Sequence, residues 1–419
     1  MTKTMLTAAL MGLFLSSNAL AGGEASVALS SPIFQHSPKG KPFARPSALL
    51  QSRVTKARAI STPSYPVPFK ALAMRTAQDG WALSQNALWS TIDGGRKWQP
   101  VTPPHVTVND PGIAPTGWFG ADFGVAWDFV GSHSAWVATT MAKRSGTFLL
   151  SHTRDSGKRW TQTRIHLPLT TYTWRGSQAL EIDFISNRIG WLAIGPGPAG
   201  PQNPMELWQT TNSGQSWHRM YVTEAFGGAL AFTSAQDGWL VFQAPADNGA
   251  LFLLRHTTTA GRSWQTMSVP NLNEFANYMN GSDGTGLTWQ GSDGALAGST
   301  IQLGAPHGYL AVLQTTNDGQ TWTVSPQLAA HSNKFASAAT AGSHSWAIAD
   351  GHLYTWSLRQ RTWTNHTSAP WLAHATGLDA VNGAVAFVWK NTKNRSEIWR
   401  TTDGGDHWAR VGYTKIANG

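Results

Sequence analysis

Thr91-Ile92-Asp93-Gly94-Gly95-Arg96-Lys97-Trp98 is repeated, with changes, along the whole chain. It returns as Thr153-Arg154-Asp155-Ser156-Gly157-Lys158-Arg159-Trp160 and as Thr401-Thr402-Asp403-Gly404-Gly405-Asp406-His407-Trp408. Looser copies built on Asn212, Thr259 and Asn317 close on Trp217, Trp264 and Trp322, and a worn copy closes on Trp363. Closing tryptophans at intervals of roughly 40–60 residues, flanked by strand-like runs, indicate stacked supersecondary units. An apolar run rich in aromatic and branched residues precedes each copy, as in Phe148-Leu149-Leu150 or Glu397-Ile398-Trp399. A second apolar segment follows the closing Trp, as in Trp408-Ala409-Arg410-Val411. The repeat is therefore a hairpin turn. Its Asp, Asn or Ser accepts bonds from nearby backbone N–H groups, and its Gly supplies a positive φ.

A second recurring piece lies upstream. Ala71-Leu72-Ala73-Met74-Arg75-Thr76-Ala77-Gln78-Asp79-Gly80-Trp81 matches Ala229-Leu230-Ala231-Phe232-Thr233-Ser234-Ala235-Gln236-Asp237-Gly238-Trp239. Weaker versions reach Trp136, Trp191, Trp289 and Trp346, and Gly383–Phe387 holds the equivalent place in the last unit. Each unit reads strand, turn, strand, loop, strand, box, strand. The expected fold is all-β: one seven-bladed β-propeller of four-stranded antiparallel blades over residues 67–419. Of the 22 Trp, all but a few fall at box ends or on strands, so blade packing accounts for most of the aromatic richness.

The pattern Ser/Thr-x-Asp-x-Gly-x-x-Trp resembles the Asp-box, or bacterial neuraminidase repeat, and the resemblance spans nearly all of residues 67–419. Members of that family include sialidases, some glucanases, sortilin-type receptors and photosystem II assembly and stability factors. The short units, the Gly-Trp pair and the Leu-Trp-x-Thr-Thr-Asp-Gly-Gly phrasing are most similar to the last group. The resemblance implies that the boxes are structural. Asp93, Trp98, Asp155, Trp160, Asn212, Trp217, Trp264, Asn317, Trp322, Asp403 and Trp408 are thus expected to build turns and packing, not chemistry. It also implies that ligands bind across the ring from the boxes.

Residues 1–21 pair Lys3 with an apolar stretch from Met5 to Leu15 and end in Ala19-Leu20-Ala21, the pattern of a cleavable secretory signal. A secreted or extracytoplasmic location is expected. With no Cys, stability must come from the core and ring closure. The net charge of +9 is unevenly placed. Residues 22–66 form a Pro/Ser-rich basic linker, and Lys39, Lys41, Arg45, Arg53, Lys56, Arg58 and Lys70 crowd the stretch 39–70. That stretch is either a solvated spacer or a peripheral contact to an anionic surface. The propeller itself is close to neutral, which argues against nucleic acid.

In an up-and-down blade the first-to-second and third-to-fourth turns leave on one side. The second-to-third loops and blade-to-blade connections leave on the other. The irregular stretches Pro103–Ala121, Gly195–Pro204 and Gly291–Pro306 belong to that second side, where function is expected. So do Trp118, Trp174 and Trp371, and the cations Lys143, Arg144, Arg175, Lys390, Lys393 and Arg395. Aromatics beside cations suit a protein partner or an acidic glycan or polymer.

An enzyme reading needs more. A sialidase resemblance implies an Arg-Ile-Pro-like motif and a Tyr/Glu nucleophile pair. The nearest string, Phe43-Ala44-Arg45-Pro46, lies in the linker. A glucanase-like site needs two carboxylates across a cleft. Asp128 and Asp183 stand eight residues before their unit's Trp, where Ala73, Ala231 and Ala338 stand elsewhere; Asp379 holds a similar place and Glu181 shares a face with Asp183. Burial would raise their pKa; equally, they could bind backbone N–H groups or water at the axis. No His pair has metal-ligand spacing, and Gly281-Ser282-Asp283-Gly284 and its echo Gly291-Ser292-Asp293-Gly294 lack a full calcium set. No metal or cofactor is expected. The leading reading is a monomeric, non-enzymatic propeller that binds a protein partner, like an assembly factor, on the face opposite the boxes. The alternative is a glycoside hydrolase or carbohydrate-binding propeller using Asp128, Asp183, Glu181 and the loop tryptophans.

Overall fold

The computed structural model divides the chain into Met1–Ala48 and Leu49–Gly419. It describes residues 53–56, 68–84, 87–106, 125–141, 146–169, 179–195, 205–223, 226–246, 249–270, 272, 288–290, 292–300, 307–331, 337–368, 371–392 and 395–413. All of these belong to the second unit. They form seven antiparallel sheets, each built on four strands in sequential order, and two of them carry a fifth strand: Arg53–Lys56 on blade two and, on blade five, Leu328–His331 beside His307–Thr315. The chain is a seven-bladed β-propeller. Its innermost strands are Phe69–Met74, Val125–Val130, Ala179–Phe184, Phe226–Phe232, Thr288–Gln290, Ser337–Ala341 and Gly377–Ala380, for blades one to seven. Blade three is representative: Ala179–Phe184 pairs Gly190–Gly195, which pairs Met205–Thr210, which pairs His218–Thr223.

The core is not a single centre. Seven hydrophobic clusters fill the spaces between successive blades. The Gly-Trp pair explains how. In blade three Gly190 faces Phe184 across the hairpin, and a side chain at Gly190 would strike that ring. The next residue, Trp191, points to the other face and stacks on Phe232 of blade four at 3.5 Å with parallel rings. Trp136 stacks likewise on Phe184 at 3.9 Å, and Trp81 on Phe129 at 5.2 Å. Blades one to four thus each offer a flat ring to the next, and a glycine such as Gly190 or Gly238 lets its own blade's ring lie close to the sheet.

Blade five departs from the expected pattern. Trp289 lies on the first strand, opposite Gly294, and not on the second. It occupies the place of Phe184 and Phe232, and Trp239 stacks on it at 5.4 Å. Ala295 stands where blade seven has Phe387 and the other blades have Trp, completely buried in a cluster with Leu310, Val312, Ala338, Ala347, Ala349 and Trp356. The second strand is therefore Asp293–Thr300, inside the stretch Gly291–Pro306 expected to be loop. In blade six the register pairs Ala339, not Ala338, with Trp346, because that hairpin is one residue shorter.

The ring closes without strand exchange. Blade seven takes all four strands from the C-terminal run, Gly377–Tyr413, and Phe69 opens blade one. Side chains of blade seven hold Phe69: its N–H donates to Ser396 Oγ at 2.7 Å, and its carbonyl accepts from Asn391 Nδ2 at 2.7 Å and Trp389 Nε1 at 3.2 Å. Within the segment read as linker, Arg53–Lys56 forms a fifth strand on the outer edge of blade two.

Candidate functional site

The box turns share one hydrogen-bond pattern. In blade three the Thr210 hydroxyl donates to Asn212 Oδ1 at 3.1 Å and accepts from Gly214 N–H at 2.9 Å; Asn212 Oδ1 accepts from Ser216 N–H at 2.9 Å. The same set recurs around Asp93, Asp155, Thr259, Asn317 and Asp403. Asn212, Thr259 and Asn317 are thus working acceptors and not decayed copies. The worn copy before Trp363 is different: Ser357 and Thr362 face each other directly in a tight hairpin. In all six full boxes two successive residues have positive φ, as at Ser213 (61°) and Gly214 (75°). The first of them donates its N–H to the first-to-second turn of the same blade, as in Ser213 to Arg188 O at 2.9 Å and Gly94 to Gln78 O at 2.7 Å. Both sets of turns therefore share one face, as the topology requires. Bonds from His407 N–H, the Thr401 hydroxyl and the His407 ring hold Asp403 down to about 2. Replacing Thr210 with Val removes the acceptor for two N–H groups. This is expected to cost about 1–3 kcal/mol in urea unfolding, whereas Asn212→Asp is expected to be near neutral.

The four axial carboxylates are used in a way the repeat alone did not decide. Innermost strands are sheet edges whose axis-side N–H groups need acceptors. Asp128 Oδ2 accepts from Phe184 N–H of blade three at 2.5 Å. Asp183 Oδ2 accepts from Phe232 N–H of blade four at 2.5 Å, and Glu181 Oε1 from Leu230 N–H at 2.9 Å. Asp379 Oδ2 accepts from Met74 N–H of blade one at 2.6 Å. Between blades five and six, the Thr288 hydroxyl takes the corresponding place and meets the Thr340 hydroxyl at 2.7 Å. Each is a latch from one blade to the next.

Burial raises all four pKa values: Asp128 to about 6, Asp379 to about 7, Glu181 to about 8, and Asp183 well above its ordinary value. The latch bonds pull the other way, as does Arg75 for the three aspartates; Asp128 and Glu181 push Asp183 further up. A raised pKa alone would suit an acid catalyst. Here one oxygen of each carboxylate is committed to a neighbouring strand, so the geometry does not favour a pair working across a sugar. Among the described residues, no group of three or more acidic or His side chains is arranged to hold a metal ion.

On the face opposite the boxes, blade seven brings Lys390 and Arg395 onto one hairpin, between Ala386–Thr392 and Arg395–Thr401. Lys390 faces Glu397 across that hairpin. Trp371 begins a short 3₁₀ turn at Leu372–His374 in the blade-six-to-seven connection. Its ring stacks on Trp399 at 4.6 Å and meets Trp408 edge-on at 5.7 Å, so it pins that connection to blade seven. Trp118, Trp174, Lys143, Arg144, Arg175 and Lys393 lie outside the described residues. The ring clamp of Asn391 and Ser396 had no signal in the sequence, because neither residue belongs to a repeated motif.

No family model matches the chain, and no curated protein matches it. Solved structures match at the level of the fold. An oligogalacturonate lyase in complex with manganese shares 9% identity, covering 84% of this chain and 96% of its own, with a TM-score of 0.46. An ulvan lyase of a polysaccharide lyase family shares 9% identity over 72% of this chain and 84% of its own, with a TM-score of 0.42. A chain of the mitotic checkpoint complex shares 11% identity over 84% of this chain and 95% of its own, with a TM-score of 0.44.

Proposed function

We propose that this chain is a non-enzymatic, extracytoplasmic propeller that binds an acidic protein partner through the face opposite the box turns, in the manner of an assembly factor. One observation carries the reading: the acidic side chains best suited to catalysis are bound to the backbone of the neighbouring blade. The box carboxylates are likewise engaged within their own turns. What is left for recognition is the loop face, where the sequence places Trp118, Trp174, Lys143, Arg144, Arg175, Lys390, Lys393 and Arg395. The likeness to photosystem II assembly factors, and to the wider Asp-box family, belongs to this proposal. So does export by a cleaved signal at residues 1–21, with the basic stretch 39–70 as a peripheral tether to an anionic surface.

The test is capture from the envelope fraction of the native host. Reversing the charge at Lys143, Arg144, Lys390 and Arg395 together is expected to reduce the captured partner at least tenfold, with the fold unchanged by circular dichroism. Rising salt is expected to weaken wild-type capture in the same way. Undiminished capture by the quadruple variant would contradict the site. Turnover of chromogenic glycosides, lost in Asp128→Asn and Asp183→Asn, would contradict the non-enzymatic reading.

A further inference from the structure

We propose that the outer edge of blade two is a docking site for an extended acidic peptide segment of a partner, and that Arg53–Lys56 is a built-in, displaceable occupant of it. The edge is the strand Arg159–His166, at 8 residues longer than any other fourth strand. Those of blades one and four have 2 residues each. A long outer strand presents a row of backbone donors and acceptors that can template another strand, whatever its sequence. In the isolated chain Arg53–Lys56 fulfils that role, antiparallel, with Arg53 opposite Gln162 and Lys56 opposite Arg159.

The occupant is poorly matched to the edge. It contributes only 4 residues, too few to hold a strand independently. Its last residue sets Lys56 against Arg159, two cations at one cross-strand position, which disfavours pairing. Arg159 is 72% exposed, and its bond to Asp155 at 2.9 Å uses Nε and not the terminal nitrogens. A segment with Asp or Glu at that register position would set a carboxylate opposite the exposed Arg159 in place of a second cation, with the same backbone ladder. The edge therefore selects an extended segment with Asp or Glu opposite Arg159. This site is at the rim of the ring and stands or falls independently of the loop-face proposal.

The chain has no Cys, so Val54→Cys with Thr161→Cys, opposite each other in the register, introduces one defined disulfide in the full-length protein. The probe is a fluorescent peptide of residues 49–60 with Glu at positions 53 and 56. It is expected to bind the reduced double variant and the wild type alike. Oxidation should weaken binding at least tenfold, and reduction should restore it. The peptide with the natural sequence should bind several-fold more weakly, and Arg159→Glu should reverse that preference. Equal binding to the oxidised and reduced forms would overturn the proposal. So would no binding to either, or failure of the disulfide to form in the folded protein.

Discussion

Trp191→Ala is expected to destabilise the propeller by about 3–5 kcal/mol, read as a lower urea midpoint by circular dichroism. The residue is fully buried between blades three and four. Truncation removes its parallel stack on Phe232 and the bond from its indole N–H to Ala260 O at 3.1 Å. It also leaves a ring-sized gap beside Phe232, which already lies against Gly238 and has little freedom to collapse inward. Trp191→Phe keeps a ring and should recover most of the loss. Blade five fills the equivalent place with Ala295, in a cluster where Leu310, Val312 and Trp356 pack with Ala338, Ala347 and Ala349. Trp371→Ala is expected to cost clearly less, because that ring is only partly buried. A loss at Trp191 no larger than at Trp371 would contradict the view that stacked rings between blades carry most of the stability.

The second large effect is in pH dependence. For carboxylates whose folded pKa is raised, the native state binds more protons than the unfolded state between the two values. Stability then falls as pH rises through that window, and the penalty is absent below pH 4 and complete above the folded pKa. With Asp128 near 6, Asp379 near 7 and Glu181 near 8, the propeller should lose stability from pH 5 to pH 8.5. At roughly 1.4 kcal/mol per pKa unit, Asp128 alone sets a scale on the order of 3 kcal/mol, tempered because its side chain is still partly accessible. The variant Asp128→Asn/Glu181→Gln/Asp183→Asn should reduce the slope to the part that Asp379 contributes, and gain on wild type above pH 8. A wild-type profile that rises over the same range would reverse the sign of the argument.

Much of this architecture was legible because the repeat is turn chemistry, and turn chemistry is local. Thr, an acceptor, Gly and Trp at fixed offsets specify a hairpin wherever they occur. The paired Gly and Trp then mark the second strand in the blades that keep both. Blade five misled because its aromatic had moved one strand inward: Trp289 has no glycine before it, and Gly294-Ala295 gives no aromatic signal. The axial aspartates were visible as outliers among alanines, but their role was not. Each bond runs to a residue 49 to 305 positions away in sequence, set by how neighbouring blades face each other. Trp371 was legible as an extra aromatic in a connection, but its partner Trp399 was not. The strand Arg53–Lys56 was hidden for another reason: basic, Pro/Ser-rich surroundings mask a short pairing segment whose partner lies across a whole blade.

Amide exchange at Phe232 is the most direct measurement of the latch. Asp183→Asn keeps a carbonyl acceptor for that N–H, whereas Asp183→Ala removes it. If the axial carboxylates hold blade to blade, Phe232 N–H in Asp183→Ala should exchange at least tenfold faster than in wild type, while Asp183→Asn stays close to wild type. Equal protection in all three proteins would show that Asp183 is not a latch, and would reopen the axis as a site for chemistry.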